Sequence, residues 1–171
     1  MKLLVTGGLG FIGSNFIIHI LRDYDDFEII NLDAEMDGSN HDNLREIEKS
    51  ERYRFVKGNI TNRKLLDELI PQVDCVVNFA AESHVDRSIA DPNPFLISNF
   101  RGVFTILEAL KKNKKKFIQI STDEVFGTIK EGSATELTRF NPSSPYAATK
   151  ASAELLINAY VVTYNIEAII T

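Results

Sequence analysis

Five side chains that could take part in proton transfer lie close together late in the chain. Thr122, Asp123 and Glu124 form one cluster, and Tyr146 and Lys150 form a second. A hydroxyl and a phenol can hydrogen-bond a substrate alcohol, while two carboxyls can serve as acid and base. Adjacent carboxyls repel each other, which favours one protonated and one ionised group. The stretch is therefore a candidate active site for acid–base chemistry.

The spacing of Tyr146 and Lys150 places both side chains on one face of a helix, one turn apart. A tyrosine, with an ordinary pKa of about 10, is a poor base near neutral pH. A neighbouring ammonium, together with positive charge on a bound cofactor, would favour the phenolate form. Tyr146 is therefore a candidate proton acceptor from an alcohol undergoing oxidation. Such a pair is structural in most proteins, so the interpretation depends on a cofactor site elsewhere in the chain.

A glycine-rich turn near the start of the chain predicts that cofactor site. Gly7, Gly10 and Gly13 follow a short apolar run and precede apolar residues at helical spacing. Backbone N–H groups at such a helix start can bind a pyrophosphate, and the absent side chains permit close approach. Asp33 ends the second apolar run, where its carboxylate could accept both ribose hydroxyls and would repel a 2'-phosphate. This unit predicts NAD rather than NADP; the simpler alternative is a tight turn and an exposed carboxylate.

The elements that must position these groups alternate between strand and helix. Apolar runs predict strands at 2–6, 28–32, 74–79, 117–121 and 167–170, and an alternating pattern predicts another at 53–57. Helices are predicted after the glycine turn, at 62–70 with Thr61 as cap, at 94–112 and at 146–164. Apolar strands that alternate with helices predict an α/β fold: a Rossmann-type doubly wound parallel sheet with helices on both faces. The suspected site residues fall at the carboxyl ends of the strands, where such sheets bind ligands.

Composition limits the classes of partner. The chain has 171 residues, which fits one domain, and a net charge of -5. This balance argues against nucleic acid or an anionic membrane as the main partner and favours a nucleotide or another small molecule. Cys75 is the only cysteine, so no disulfide or thiolate metal site can form within the chain. We predict no metal, and a reducing, cytoplasmic compartment.

Longer motifs resemble the extended short-chain dehydrogenase/reductase family across essentially the whole chain. The glycine pattern, Thr122 and the Tyr-x-x-x-Lys pair carry the general resemblance. Three segments, 80–88, 121–125 and 143–150, more narrowly resemble the dTDP-glucose 4,6-dehydratases of that family. The acidic pair that follows Thr122 separates this group from epimerases and reductases of the same fold, which need no second acid and base.

The resemblance implies NAD-dependent dehydration of a nucleotide-activated hexose. Tyr146 would take the proton of the 4-hydroxyl while hydride passes from carbon 4 to NAD, and Thr122 would hydrogen-bond that oxygen. Glu124 would then remove the carbon 5 proton, and Asp123 would protonate the departing carbon 6 hydroxyl. Return of hydride to carbon 6 gives the 4-keto-6-deoxy sugar and regenerates NAD.

The resemblance, together with the glycine turn, also names the residues that bind ligands. The cofactor would contact Gly7, Gly10, Phe11, Ile12, Gly13, Asp33, Asn59, Ile60, Ala80, Ala81, Ser83, Asn99, Tyr146 and Lys150. The substrate would contact Ser83, His84, Arg87 and Thr122. For His84, a structural role is an equal alternative.

The chain departs from the family pattern at two residues and one short segment near this site. Asn59 stands where the family carries an Asp that receives the adenine amino group, and an Asn oxygen can accept the same bond. The segment 34–37 adds negative charge near the adenosine. Phe126 replaces a usual Tyr, which removes one hydroxyl.

Family members continue for roughly as many residues again after the position of Thr171, and that half holds the substrate nucleotide. We therefore expect residues 1–171 to be one NAD-binding domain that carries the catalytic residues, without the family's carboxy-terminal substrate domain. Activity of the chain alone stays open, since its site would be less closed to water. The family dimerises through helices at 94–112 and 146–164, which predicts a homodimer or pairing with a full-length relative. The alternatives are a non-catalytic nucleotide-binding module, or an epimerase or reductase.

Overall fold

Six parallel strands form the centre of the molecule in a computed structural model that describes residues 1–171. They are β1 (Lys2–Thr6), β2 (Glu28–Asp33), β3 (Tyr53–Lys57), β4 (Cys75–Asn78), β5 (Lys116–Gln119) and β6 (Ala168–Ile170). Their order is β3-β2-β1-β4-β5-β6, and every neighbouring pair is parallel. The sheet grows outward in opposite directions from β1 and β4, so the topological switch point lies between these strands. The predicted doubly wound fold is confirmed.

The helices that connect the strands cover both faces of this sheet. They are α1 (Phe11–Asp23), α2 (Arg63–Leu69), α3 (Val85–Ala90), α4 (Asn93–Phe95), α5 (Val103–Asn113) and α6 (Pro145–Tyr164). A π-helical segment, Leu96–Gly102, joins α4 to α5, so the single helix predicted at 94–112 contains a wider turn. Short 3₁₀ turns occur at His41–Leu44, Ile70–Gln72 and Asp123–Phe126. None of the helices is both long and apolar enough to cross a lipid bilayer.

Alternate residues of β1 to β5 enter two separate apolar layers. Leu4 and Val76 pack with α2, α5 and α6 in a cluster of 19 buried residues. Leu3 and Val77 face the other way, into a cluster of nine buried residues that includes Ile17 of α1. Because both faces are covered, the strands read as continuous apolar runs in the sequence.

The start of α2 differs from the prediction by one residue. Asn62 is the cap, and its side-chain oxygen accepts a hydrogen bond from the Leu65 N–H at 3.3 Å. The Thr61 hydroxyl, predicted to cap the helix, donates instead to Asn59 Oδ1 at 2.8 Å. A local turn closed by Asn59 therefore uses Thr61 and moves the helix start to the next polar residue.

Candidate active site

One cavity of about 460 Å³ runs along the carboxyl ends of the strands. The loops that follow β1 to β5 and the start of α6 all contribute to its walls. Predicted site residues on its surface are Gly7, Gly10, Phe11, Ile12, Gly13, Asp33, Asn59, Ile60, Ala80, Ala81, Ser83, His84, Tyr146 and Lys150. Five other predicted residues do not line it: Arg87, Asn99, Thr122, Asp123 and Glu124. The fold thus brings the glycine turn and the Tyr–Lys pair to one cavity.

The glycines of the first turn serve the packing of the chain itself as well as the cavity. Gly7 has a φ of +71°, and a Cβ there would lie 2.6 Å from the backbone nitrogen of Ala80. A Cβ on Gly13 would lie 2.4 Å from the Gly7 carbonyl oxygen. At Gly10 the same oxygen is 3.3 Å away and nothing else lies within 4 Å, so this glycine alone leaves open space for a ligand.

The start of α1 offers unused hydrogen-bond donors to the cavity. Ser14 is the first residue of the helix whose N–H reaches a carbonyl one turn back, that of Gly10, at 3.0 Å. The N–H groups of Phe11, Ile12 and Gly13 have no such backbone acceptor. Free donors and the positive end of the helix dipole fit an anionic group such as a pyrophosphate.

Asp33 is buried beside this turn and is already partly bound. Its Oδ2 accepts a hydrogen bond from the Leu9 N–H at 3.0 Å. Its Oδ1 accepts from the Glu35 N–H and the Ser39 hydroxyl, each at 2.8 Å. A carboxylate has about four acceptor positions, so one position on Oδ2 stays free for a hydroxyl such as that of a ribose. The sequence predicts that Asp33 accepts hydrogen bonds from both ribose hydroxyls. The second hydroxyl can be accepted only if the Ser39 hydroxyl gives up its position on Oδ1.

The side-chain oxygen of Asn59 already accepts hydrogen bonds from within the chain, whereas the sequence interpretation expected it to accept one from the adenine amino group. Its Oδ1 accepts hydrogen bonds from the Thr61 N–H at 2.9 Å and the Thr61 hydroxyl at 2.8 Å. These two donors occupy both acceptor positions of that oxygen. The adenine amino group is a donor, so the Asn59 oxygen has no free position for it. The side-chain amide of Asn59 remains available to an acceptor.

Asn31 is a site-shaping residue that the sequence interpretation missed. It is fully buried in β2, where its Oδ1 accepts from the Gly8 N–H at 3.1 Å. Its amide donates to the Tyr53 hydroxyl at 2.9 Å. A Cβ on Gly8 would lie 2.2 Å from that Oδ1, so Gly8 makes room for Asn31. The sequence carries a signal for this role, because Asn31 is a single asparagine between the apolar residues Ile30 and Leu32.

The beginning of α6 holds Tyr146 and Lys150 in buried positions. Ser144 caps the helix through a bond from the Ala147 N–H, and Pro145 occupies the first turn. The Tyr146 N–H donates to the Ser88 hydroxyl of α3 at 3.1 Å. Tyr146 and Lys150 are 7% and 5% exposed. Both side chains are therefore fixed before any ligand binds.

The environment of Tyr146 opposes ionisation of its phenol. Burial raises the pKa of Tyr146, a hydrogen bond with the Thr122 hydroxyl lowers it, and the charges of Glu124 and Asp123 raise it. The sequence interpretation expected the Lys150 ammonium to favour the phenolate. That ammonium instead donates to the Ile120 carbonyl oxygen at 2.6 Å, and burial dominates at Tyr146. Burial and the two carboxylates therefore both favour the neutral phenol.

Burial lowers the pKa of Lys150, whereas it raises the pKa of Tyr146. It lowers the pKa of Lys150 from 10.5 to about 8, while the nearby charge of Glu154 raises it. Lys150 therefore still carries a proton near pH 7. An ammonium in a nearly closed position next to the cavity is the main positive charge at this end of the site.

Thr122, Asp123 and Glu124 form the turn that follows β5, close to Tyr146 but outside the cavity wall. The Thr122 hydroxyl caps the 3₁₀ turn by accepting a bond from the Glu124 N–H at 3.3 Å. Asp123 is exposed and Glu124 is partly buried. The turn packs against α6, the helix that carries Tyr146, and the negative charges of both carboxyls raise the pKa of that phenol.

Asn99 does not reach the cavity, although the sequence placed it near the cofactor. Its side chain accepts from the Glu82 N–H and donates to the Glu82 carbonyl, each at 2.9 Å. It also donates to the Thr149 hydroxyl at 3.1 Å. Asn99 therefore ties the π segment to α6 and to the loop after β4, whose residues line the cavity.

Arg87, assigned by the resemblance to the substrate, is turned toward the loop after β2. Its Nη2 lies 3.2 Å from Asp37 Oδ2 and 3.9 Å from Glu82 Oε2. Asp37 belongs to the acidic segment in which this chain departs from the family pattern. The ion pair forms because that segment supplies a carboxylate within reach of α3.

A row of polar side chains crosses the sheet below the cavity, and the sequence interpretation missed it as well. The Thr6 hydroxyl donates to Asn78 Oδ1, and Asn78 donates to Gln119 Oε1 at 2.8 Å. Gln119 in turn donates to the Ile120 carbonyl at 2.8 Å, the same oxygen that binds Lys150. All three side chains are buried at the ends of apolar strands. No group of three or more His, Cys, Asp or Glu side chains is arranged to hold a metal ion.

The parallel sheet, the glycine turn and the Tyr–Lys pair together define a Rossmann-type domain of the short-chain dehydrogenase/reductase class. More narrowly, the chain belongs to the GDP-mannose 4,6 dehydratase family, whose sequence pattern matches residues 4–171. The resemblance to sugar-nucleotide dehydratases that the motifs indicated is confirmed.

Individual relatives agree with this assignment. The chain is 46% identical over 172 residues to the low-salt glycan biosynthesis protein Agl12 of Haloferax volcanii, covering 100% of this chain and 55% of that protein. It is 44% identical over 174 residues to dTDP-glucose 4,6-dehydratase of Mycobacterium tuberculosis, covering 100% and 52%. The chain thus spans about half the length of the curated relatives it matches.

Solved structures of sugar-nucleotide enzymes also resemble this chain in sequence and in fold. A crystal structure of DesIV, a dTDP-glucose 4,6-dehydratase from Streptomyces venezuelae with NAD bound, is 43% identical with a TM-score of 0.96, covering 99% of this chain and 54% of that chain. UDP-glucuronic acid 4-epimerase from Bacillus cereus, in complex with UDP-glucuronic acid and NAD, is 33% identical with a TM-score of 0.93, covering 99% and 55%. The fold is therefore shared by dehydratases and epimerases.

Proposed function

We propose that this chain binds NAD and carries the catalytic residues of a sugar-nucleotide 4,6-dehydratase. One observation carries the proposal: a single cavity connects Asp33 and the free N–H groups of α1 with Tyr146 and Lys150, beside the acidic turn. The names of the relatives support dTDP-glucose as the substrate. The domain assignment, one NAD-binding domain over residues 1–171, is part of the proposal.

The residues around the cavity fit NAD. The first-turn N–H groups of α1 would hold the pyrophosphate, Asp33 a ribose hydroxyl, and Asn59 and Ile60 the adenine side. Tyr146 and Lys150 stand at the other end, and Ala80, Ala81 and Ser83 form the wall between. Bound there, NAD would supply an acceptor and a donor of hydride at its nicotinamide ring.

Oxidation of the sugar needs a base at the substrate alcohol. The Tyr146 oxygen would accept the proton of the 4-hydroxyl, and the Thr122 hydroxyl would hydrogen-bond the same oxygen. The ammonium of Lys150 favours negative charge at this end of the cavity. Because burial raises the pKa of Tyr146 in the chain alone, deprotonation depends on the charge of the assembled complex.

Elimination needs a second base and an acid. Glu124 would remove the proton from carbon 5, which the new ketone makes acidic, and Asp123 would protonate the departing carbon 6 hydroxyl. The proton of Asp123 and the carbon 6 hydroxyl leave together as water, while the carbon 5 proton stays on Glu124. When hydride is returned to carbon 6, Glu124 would give that proton back to carbon 5, which completes the 4-keto-6-deoxy sugar. Both carboxyls lie on the turn beside Tyr146, which supports one sugar ring contacting all three groups.

Ser83 and His84 line the cavity and are proposed to contact the sugar nucleotide. Arg87 remains a candidate for its phosphates, but its ion pair with Asp37 must first open. Asn99 is proposed to act indirectly, through Glu82 and the loop that carries Ser83.

A paired assay tests the proposal. The protein is titrated with NAD by calorimetry and incubated with NAD and dTDP-glucose, and the 4-keto-6-deoxy product is detected by its absorbance in alkali. The expected result is NAD binding and product, both retained in a Lys64→Met control. Tyr146→Phe should bind NAD and give no product. Binding without product in the wild-type protein would instead favour a nucleotide-binding module that pairs with a full-length relative.

A second candidate is a sugar-nucleotide 4-epimerase, favoured by the epimerase structure with a TM-score of 0.93. An epimerase keeps the oxygen on carbon 6, whereas a dehydratase loses it. Mass spectrometry of the product decides between them, since dehydration lowers the mass by one water.

A further inference from the structure

Two of the three buried charged side chains in the chain lie one turn apart on α6. Lys150 and Glu154 are 5% and 8% exposed, and Asp33 is the third such residue. The proposed mechanism uses Lys150 and Asp33 but gives Glu154 no task. A buried carboxylate is costly unless hydrogen bonds or an opposite charge compensate it, so its presence calls for an explanation.

The two side chains bind consecutive residues at the end of β5. Lys150 Nζ donates to the Ile120 carbonyl at 2.6 Å. The Ser121 hydroxyl donates to Glu154 Oε1. Ser121 precedes Thr122, so this pair of contacts attaches α6 to the strand end from which the catalytic turn begins.

Glu154 is also the charge that acts on Lys150. Ionisable groups on elements that contact α6 are Asp86, Arg87, Arg101, Glu108, Lys111, Lys112, Asp123 and Glu124. On α6 itself, Tyr146 and Glu154 lie one turn to either side of Lys150. Among all these groups, Glu154 is the one whose charge raises the pKa of Lys150 against the effect of burial.

We propose that Glu154 is a positioning residue that provides a buried negative charge one turn from Lys150 on α6 and that holds Ser121 in place beside Thr122. The inference rests on the proposed function only in treating Lys150 and Thr122 as catalytic. Glu154 acts through these neighbours and does not line the cavity.

The proposal has a direct consequence for the ionisation of Lys150. Its pKa of about 8 leaves it mostly protonated at pH 7. Removing the negative charge of Glu154 leaves burial unopposed, so the pKa must fall and the neutral amine becomes more populated near pH 7. Glu154→Gln is the appropriate change, because the amide oxygen can still accept the Ser121 bond.

The test is an NMR titration of the Lys150 ε-carbon in protein labelled with ¹³C-lysine, with the signal assigned by its loss in Lys150→Met. Glu154→Gln should lower the pKa of Lys150 by about half a pH unit or more. Ser121→Ala removes the hydrogen bond but keeps the charge, and should shift the titration less. Glu136→Gln, an exposed position, should leave it unchanged. An unaltered or higher Lys150 pKa in folded Glu154→Gln protein would overturn the proposal.

This readout is a titration of Lys150 in the folded protein, so its failure is distinct from failure of the proposed enzymatic activity.

Discussion

Lys150 is held in a position where its charge is unfavourable, and this makes stability depend on pH. Its pKa in the folded chain is about 8, below the value of 10.5 for an unburied lysine. The unfolded chain therefore binds more protons between these two pH values, so the free energy of unfolding must rise with pH in that window. The cost of the buried charge is fully present below pH 8.

We expect this dependence to appear as a difference between two proteins. From pH 7 to pH 10, the free energy of unfolding of the wild-type protein should increase relative to Lys150→Met by about 2 kcal/mol. Urea unfolding at several pH values measures it, and the other titrating groups cancel because both proteins contain them. Lys64→Met, at an exposed position, is the control and should show no such change. A difference that falls with pH would contradict the assignment.

Asn59 gives a second prediction at the residue scale, in the direction of improved binding. Its oxygen is occupied by Thr61, whereas an aspartate has a second oxygen that stays free for the adenine amino group. Asn59→Asp should therefore lower the Kd for NAD about three- to tenfold, as expected for one added hydrogen bond. Calorimetry measures the Kd. The control is Asn158→Asp, which makes the same charge change on an exposed part of α6; equal effects of both substitutions would exclude the hydrogen-bond explanation.

Among the elements, the glycine turn separates a folding requirement from a binding requirement. A methyl group at Gly7 would meet the Ala80 backbone at 2.6 Å and the φ of +71° disfavours any other residue. At Gly10 it would meet only the Gly7 oxygen at 3.3 Å and would project into open space.

The two substitutions should accordingly separate stability from affinity. Gly7→Ala should lower the free energy of unfolding by about 2 kcal/mol or more. Gly10→Ala should cost less than about 1 kcal/mol yet weaken NAD binding at least tenfold, because the methyl group stands where the pyrophosphate approaches. Urea unfolding and calorimetry on both variants provide the comparison. Unchanged NAD affinity in Gly10→Ala would place the pyrophosphate elsewhere.

The elements also show which features the sequence could reveal. The strand at 2–6, the turn at Gly7 and the helix carrying Tyr146 were predicted because each depends on local pattern and turn chemistry. The cap of α2, the hydrogen bonds of Asn59 and the ion pair of Arg87 were not predicted, because in each case another group of the chain competes for the same side chain. For Arg87, that partner, Asp37, is 50 residues away in the chain. Such choices become visible only when the packed loops are known.

At the scale of the whole molecule, the order of the strands explains why one cavity can serve both ends of a dinucleotide. The loops after β3 and β2 lie on one side of β1, and the loops after β4 and β5 lie on the other. Asp33 and Lys150 therefore reach the same cavity from opposite sides of the switch point. The buried row of hydrogen bonds from Thr6 to Gln119 joins the ends of β1, β4 and β5. It therefore fixes the distances between these strand ends below the cavity.

Apolar side chains are exposed in two rows, one along the π segment and α5 and the other along α6. Leu96, Phe100 and Phe104 are 51%, 37% and 43% exposed along the π segment and α5. Leu155 and Val162 are 59% and 86% exposed on α6. A groove between the rows is lined by Pro92, Leu96, Phe100, Pro145, Ala148, Thr149 and Ser152. Exposed apolar residues grouped around a groove in this way are typical of interaction surfaces.

We expect a second copy of the chain, or a longer relative, to cover this face. The wild-type protein should sediment as a dimer at micromolar concentration, and Leu155→Glu should shift it to the monomer by placing a charge in the interface. Leu137→Glu is the matched control, since Leu137 is 93% exposed, lies in the loop before α6 and does not line the groove. Affinity for NAD should be unchanged in both variants, because neither residue touches the cavity. A wild-type monomer at high concentration, or equal dissociation by both variants, would remove the basis for assigning the partner to this face.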